Sequence, residues 1–372
     1  MSNAPPRQDA TPDQRTPVTV LTGFLGAGKT TFLNAILSDK SAQRIAVIVN
    51  EFGEVGLDHD LIEAFEGDIV LMQSGCLCCS IRGDLSKTIG ALLTRRTMGD
   101  VQFDRIVIET TGLADPGPIL QTLLVDPLLA RNTRMDGVVT LVDAVNGPAT
   151  LDTQFEAVSQ VAMADLLVLS KHDLVTADRA ARIETRLRAL NQTAPIIRGT
   201  DGVATPDRLW GLSGLRHDTS LQHAVAWTTP QPDADPLSNL SGLATPAKPP
   251  PAAAAMHDAR ISSVSIALDA PLEDAVFDTW LDTLIALKGP DILRVKGIVF
   301  LKGMAAPFAF HGVQHVFDPP VPLKNWTGDD RRSRIVVIAR DMDRPELQRS
   351  LDMLRAERVD LDQSDDPVEA AG

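Results

Sequence analysis

The run Gly23-Phe24-Leu25-Gly26-Ala27-Gly28-Lys29-Thr30 fits the spacing G-x-x-x-x-G-K-S/T, the pattern of a loop that holds phosphate. Glycines at these positions let backbone N–H groups turn inward around phosphate oxygens. A helix opening at the end of the run adds the positive end of its dipole. In that setting Lys29 reaches the β- and γ-phosphates, Thr30 offers a hydroxyl to Mg²⁺, and Thr31 completes the segment that touches the nucleotide. Downstream, RIVIE ends at Glu109 and runs into Thr110, Thr111 and Gly112. A carboxylate there can hold Mg²⁺ through water, and the Gly112 N–H can sense a γ-phosphate. The plainer reading of Glu109 is a loop or capping residue. Further on, LLVLSKHD sets Ser170, Lys171 and Asp173 after another strand. In the N-K-x-D pattern of guanine sites the aspartate accepts from the guanine N1 and N2 hydrogens, a donor pair that adenine lacks. Ser170 stands where Asn is usual, so the pattern is looser here. Lys29, Thr30 and Glu109 are the candidate catalytic residues, and GTP with Mg²⁺ is the expected ligand.

All three cysteines, Cys76, Cys78 and Cys79, fall within SGCLCCS, between the phosphate loop and Glu109. Thiolates suit Zn²⁺ and Cu(I) and also serve Co²⁺. Structural zinc sites draw four ligands from two separated pairs, whereas one compact triplet cannot close a tetrahedron. That leaves a position open for water, a carboxylate or a receiving ligand, which metal transfer requires. The alternatives are a redox couple, since Cys76 and Cys79 are spaced C-x-x-C, and inert buried thiols.

The elements that must position these residues alternate. Apolar runs at Val18 to Leu21, Ile45 to Val49, Ile69 to Met72, Arg105 to Ile108, Val138 to Val142, Leu166 to Leu169 and Pro195 to Ile197 read as strands. Between them lie helical patterns at Thr30 to Leu37, Leu85 to Leu93, Pro118 to Leu124, Phe155 to Met163 and Ala177 to Leu190. Alternation of this kind predicts an α/β, P-loop NTPase domain with a mainly parallel sheet, whose continuous apolar strands are buried on both faces. Residues 228–257 turn to Pro, Ala, Asp and Ser and read as a linker. Beyond it, strands at Ile261 to Leu268, Leu293 to Leu301, about Phe308 to Phe317 and Ile335 to Arg340, with helices at Leu272 to Leu287 and Pro345 to Arg355, predict a smaller α+β domain. The expected division is a polar lead-in (1–15), a GTPase domain (16–227), the linker (228–257), a C-terminal domain (258–357) and an acidic tail (358–372).

Bulk properties exclude several classes. The chain of 372 residues carries a formal net charge of −14 without a long basic run, which argues against nucleic acid and against an anionic membrane surface. No apolar stretch approaches the roughly 18 residues of a spanning helix, and the polar first fifteen residues lack the apolar core of a signal peptide. Three clustered cysteines make a poor disulfide framework, so the expected compartment is the cytoplasm.

Taken together, GFLGAGKT, the NEFGEVGLD run from Asn50 to Asp58, GCLCC, IETTG, the VDA of Val142 to Ala144 and SKHD closely resemble the CobW-type GTPases, a family of metallochaperones and metal-insertion factors. The likeness continues through RVKGIVFL and from HGVQHVF to RRSRIVVI in the second domain, leaving only the tails and the linker outside it. The resemblance implies that Cys76, Cys78 and Cys79 are metal ligands, that Gly23 to Thr30 hold phosphate, and that Ser170 to Asp173 hold the base. It places Glu51 and Glu54 in a switch-like loop as contributors to Mg²⁺ or metal binding. Many members carry a His-rich stretch near the domain boundary; here that region offers His223 and His257, so the chain is expected to deliver metal without storing it.

The remaining histidines and arginines receive plainer readings. His311 and His315, four apart on an expected strand, read as surface residues, and Arg331 to Arg334 as a solvated edge; His59 is a candidate extra ligand. The function expected is a slow GTPase, lacking an evident water-positioning residue beside Glu109, that couples nucleotide state to capture and release of Zn²⁺ or Co²⁺ for a client metalloprotein. It is expected to be a monomer or weak homo-oligomer. The alternatives are a nucleotide-dependent regulatory switch with a thiol redox sensor, and a P-loop small-molecule kinase. If 228–257 is an unstructured connector, brief proteolysis cuts there first and leaves two resistant fragments. A first cut between Val138 and Leu169 would refute that division.

Overall fold

β1 (Thr16–Gly23) is rich in β-branched and apolar residues, and all but one of its residues are buried. That composition suits the middle of a sheet covered on both faces. In the computed structural model, which describes residues 13–38, 44–49, 70–73, 81–199, 208–213, 221–230, 260–324, 326 and 329–355, β1 lies near the centre of a seven-stranded sheet. The other strands are β2 (Ile45–Val49), β3 (Val70–Gln73), β4 (Arg105–Glu109), β5 (Thr133–Asp143), β6 (Leu166–Ser170) and β7 (Ile196–Arg198). Their order is β3-β2-β4-β1-β5-β6-β7, and every ladder is parallel. Parallel pairing brings the strand ends into register: Leu21 lies beside Glu109, Gly23 beside Leu141, and Asp143 beside Ser170.

The helices are α1 (Lys29–Ser38), α2 (Ile81–Met98), α3 (Gly117–Val125), α4 (Pro127–Asn132), α5 (Gly147–Thr153), α6 (Phe155–Met163), α7 (Ala177–Leu190) and α8 (Leu221–Thr228). Two of them, α6 and α7, coincide with the sequence expectation. α2 runs well past Leu85 to Leu93, with Arg95 and Arg96 in its last turn, where cations oppose the helix dipole. α4 was not expected from periodicity; it is started by Asp126, whose side chain accepts from the Leu128 and Leu129 N–H groups. β5 is also longer than expected, because its charged Asp136 is buried on a 2.7 Å ion pair with Arg105 and accepts from the Gly211 N–H.

The second sheet is antiparallel and built from β8 (Ile261–Leu268), β9 (Ile292–Val299), β10 (Phe308–Val313), β11 (Val316–Phe317), β12 (Val321–Pro322) and β13 (Ser333–Arg340). Its order is β11-β10-β9-β13-β8, with β12 pairing β10. α9 (Asp274–Lys288) and α10 (Arg344–Asp352) cover one face through Phe277, Trp280, Leu284, Leu347 and Leu351. The other face seats on the first sheet's helices: Ile261, Leu293, Val336 and Ile338 share a cluster with Val158 and Val161 of α6, and Ala224 and Trp227 of α8 pack on Ile298 and Phe300.

Two surface readings are corrected here. His311 is fully buried, with Nε2 2.9 Å from an Asp318 carboxylate oxygen. His315 is exposed, as expected, but lies beyond the strand, because the chain turns at Gln314 (φ 56°). Arg331 and Arg332 are exposed, as expected, but Ser333 and Arg334 enter an interior strand, not an edge: β13 runs between β9 and β8, and Arg334 is buried and paired with Asp330.

The contact between the two sheets contains a buried charge cluster. Arg294 on β9 places Nη2 2.8 Å from both oxygens of Asp165. The same carboxylate accepts from the Val138 N–H at 3.0 Å and the Trp227 indole N–H at 3.3 Å, while Lys296 Nζ lies 3.9 Å away and over the Trp227 ring. Burial pushes the Asp165 carboxyl up, but Arg294 and Lys296 outweigh it and hold the group below the ordinary carboxylate range. Burial lowers the Lys296 ammonium to about 8, against the pull of Asp165. Asp165→Asn would strand Arg294 in the interior, and breaking a buried pair in this way costs about 3–5 kcal/mol. Urea unfolding at neutral pH is expected to show that loss. A carboxylate whose folded pKa is depressed contributes its full stability above the unfolded pKa and loses it as pH falls through the folded one. The gap between wild type and Asp165→Asn should therefore narrow in acid.

Candidate functional site

The loop between β1 and α1 takes its shape from glycine. Gly26 (φ 76°) and Gly28 (φ 89°) sit in the left-handed region that a side chain rarely adopts. The Ala27 N–H donates to the Phe24 carbonyl, and the Phe32 N–H donates to Gly28, so α1 begins as the loop ends. Lys29 folds back over the loop, its ammonium donating to the Gly23 carbonyl at 2.8 Å and to Phe24 at 3.3 Å. There it stands as a cation on a glycine-rich loop that opens a helix N-terminus, the arrangement that receives phosphate.

Thr30 at the start of α1 and Glu109 at the end of β4 meet: the Thr30 hydroxyl donates to Glu109 Oε1 at 2.8 Å, and Glu109 is only 5% exposed. A hydroxyl beside a carboxylate is a hard-oxygen donor set. It fits Mg²⁺, which takes one or two protein oxygens and completes its shell with phosphate and water. Just past Glu109, the Thr110 N–H continues the ladder to Leu21, and its hydroxyl donates to that of the buried Thr22 at 2.8 Å. Gly112 then backs onto the phosphate loop so closely that a methyl group there would fall 2.7 Å from Leu25 Cα. Only glycine allows that approach.

On the other side of the loop, the Ser170 hydroxyl donates to the Ala27 carbonyl at 2.7 Å. Lys171, in a left-handed conformation (φ 52°), donates to the Gly26 carbonyl and to Asp143, each at 2.8 Å. Asp143 also accepts from the Val145 and Asn146 N–H groups and the Asn146 amide. Burial pushes the Asp143 carboxyl up, but Lys171 and the Asn146 and Val145 donors outweigh it and hold the group below the ordinary carboxylate range. Asp173 follows in a short 3-10 turn, exposed and open to a ligand. The sequence-derived residues Gly23 to Thr31, Glu109, Gly112, Ser170, Lys171 and Asp173 thus assemble at one end of the sheet.

Asp143, Thr22, Thr110 and Gln160 also build this site and were not singled out from sequence. Asp143 lay within the VDA run, and an acid closing an apolar strand was the available signal. Gln160, on the buried side of α6, carried none. Cys76, Cys78, Cys79, Glu51, Glu54 and His59 lie outside the described residues. Among the described residues no group of three His, Cys, Asp or Glu could hold a metal ion. Among them, too, no helix is long and apolar enough to cross a membrane.

Residues 17–198 match the CobW/HypB/UreG nucleotide-binding domain, and residues 261–355 match the cobalamin synthesis protein CobW C-terminal domain. The zinc chaperone YjiA of Escherichia coli is 34% identical over 340 residues, covering 91% of this chain and 98% of that protein. The zinc chaperone CobW of Pseudomonas aeruginosa is 30% identical over 378 residues, covering 90% of each. The crystal structure of Zn(II)-bound YjiA GTPase from Escherichia coli shares the fold with a TM-score of 0.68 at 29% identity, covering 92% of this chain and 99% of that one. Matched in both halves and along nearly its whole length, the chain belongs to the CobW/HypB/UreG family and carries the CobW C-terminal domain.

Proposed function

We propose that this protein is a GTPase that binds a thiolate-preferring metal ion, Zn²⁺ first and Co²⁺ second, and delivers it to a client metalloprotein under control of the bound nucleotide. Lys29, Thr30 and Glu109 are the residues proposed to serve hydrolysis. Gly23 to Thr31 and Gly112 surround the phosphates, and Ser170, Lys171 and Asp173 hold the base. Mg²⁺, when bound with GTP, neutralises phosphate charge, and the Thr30 and Glu109 oxygens are the groups proposed to orient it. Cys76, Cys78 and Cys79, with Glu51, are the proposed ligands of the cargo metal.

One observation carries the coupling. Val49, the last residue of β2, lies in register with Glu109 on one side and with Gln73, the last residue of β3, on the other. Adjacent strands are about 4.8 Å apart. The chain therefore sets out toward Glu51 and toward the cysteines from two points within about 10 Å of the strand that ends at Glu109. A segment ordered by the γ-phosphate and released on hydrolysis is an established way to switch a neighbouring site.

The base reading is tested by competition. GTP is expected to bind far more tightly than ATP, and Asp173→Asn should erode that preference by about 1–3 kcal/mol, the cost of leaving a buried donor unpaired. Equal affinities of the wild-type protein for GTP and ATP would remove the GTPase assignment.

The coupling is tested by competitive Zn²⁺ titration with GTP, with GDP and without nucleotide. GTP is expected to tighten Zn²⁺ binding, and by linkage Zn²⁺ tightens GTP by the same factor, typically about 5- to 150-fold. Cys78→Ser or Cys79→Ser should abolish tight Zn²⁺ binding while GTP still binds in the absence of metal. Zn²⁺ affinities that do not change with nucleotide would refute the chaperone mechanism.

A further inference from the structure

Gln160 sits in the middle of α6 and is completely buried. Its side-chain amide donates to the Gly112 carbonyl at 3.2 Å and to the Ala114 carbonyl at 3.0 Å. Its backbone carbonyl accepts from the Thr140 hydroxyl on β5. Its own Oε1 is buried, with no hydrogen-bond donor among the described residues. A buried acceptor left unmet costs about 1–3 kcal/mol, and a methionine would fill the same volume without that cost. The amide group is therefore tied to the two carbonyls it holds.

Those carbonyls belong to the turn after Glu109, the segment that backs onto Leu25 through Gly112 and closes with the Ala114 N–H donating to Thr111. The elements beyond this turn both end on the second sheet. α3 begins at Gly117, and its Gln121 amide donates to Gln314 at the β10–β11 turn. α6 packs Val158 and Val161 into the cluster with Ile261, Leu293 and Ile338, and its Phe155 ring lies beneath the Arg260 guanidinium at 4.4 Å.

We propose that Gln160 is a positioning residue for the Gly112 turn: its amide holds the turn in place against the phosphate loop and ties it, through α6, to the C-terminal sheet. The proposal rests on the GTPase reading. GTP and GDP differ only in the γ-phosphate, which the Gly112 N–H is proposed to sense, so a displaced turn weakens GTP selectively. Loop motion in the other direction passes to α6 and from it to β8 and β9.

The test uses Gln160→Met in the full-length chain, with GTP and GDP affinities, kcat and KM measured alongside thermal unfolding. The expected result is a GDP affinity within about twofold of wild type, with GTP affinity and kcat each lowered about tenfold, inside the usual range of coupling between sites. A GTP-to-GDP affinity ratio equal to that of wild type would overturn the proposal, as would equal losses for both nucleotides, the mark of a merely structural role. If the variant does not fold, hydrogen exchange on the wild-type chain decides instead. Amides of α6, β8 and β9 should be better protected with a non-hydrolysable GTP analogue than with GDP, and identical exchange would overturn the proposal. A wild-type chain that binds no guanine nucleotide would fail the GTPase reading itself, a result seen before any variant is made.

Discussion

The backbone of the phosphate loop is packed against backbone on two sides, and the site around it is arranged to allow this. A methyl group on Gly23 would fall 2.5 Å from the Leu141 carbonyl oxygen, and one on Gly112 would strike Leu25. β4 and β5 flank β1, so the loop emerges between two other strand ends and cannot move without moving them. Side chains then tie it down: Ser170 to Ala27, Lys171 to Gly26, and Thr30 to Glu109. Each such bond contributes only about 0.5–1.5 kcal/mol net. Their weight lies in geometry, since four strand ends share one small irregular segment. A ligand that reshapes the segment is felt by all of them.

The second constraint lies between the sheets. Arg294, Lys296 and Ile298 of β9, with Phe300 just beyond it, alternate along the chain, so two charges share a face with two large apolar groups, and all four are buried. Taking Arg294 and Asp165 out of water costs several kcal/mol per ion, and their attraction does little more than offset it. The pair's energetic weight therefore falls on misdocked arrangements, in which two buried charges would be left unmatched. Trp227 joins this cluster from α8 and donates to Asp165, so the last described helix before the C-terminal domain is also held by that carboxylate.

Chemistry separates the two ligand classes proposed for this chain. Thr30 and Glu109 offer hard oxygens, which suit Mg²⁺ and nucleotide phosphate. The thiols of the Cys76 to Cys79 segment are soft and suit Zn²⁺. A protein that handles cargo metal beside a Mg²⁺-dependent nucleotide gains from that division, because neither ion is well served by the other's ligands. Zn²⁺ capture is also a proton-releasing step, since thiols must ionise to bind it. Its affinity accordingly falls as the pH is lowered.

By itself the sequence determined the phosphate loop, the strand–helix alternation and the parallel sheet. These rest on local rules: glycine where the backbone turns left-handed, apolar runs where a strand is buried on both faces, and helical spacing where one stripe is. α6, α7, β2 and β8 fall on their expected residues for that reason. Among the described residues, Gly23 to Thr31, Glu109, Gly112 and Ser170 to Asp173 were likewise legible, because each lies at or just beyond the end of a strand at the same edge. What only the tertiary structure decided is how partners far apart in sequence meet. Nothing local marks Asp143 as the anchor of Lys171, or Gln160 as the holder of the Gly112 turn. His311 read as a surface residue because alternation reports one wet face, and it cannot show that another domain covers that face. Burial of a polar group is set by what packs on it, and that is a property of the assembled fold.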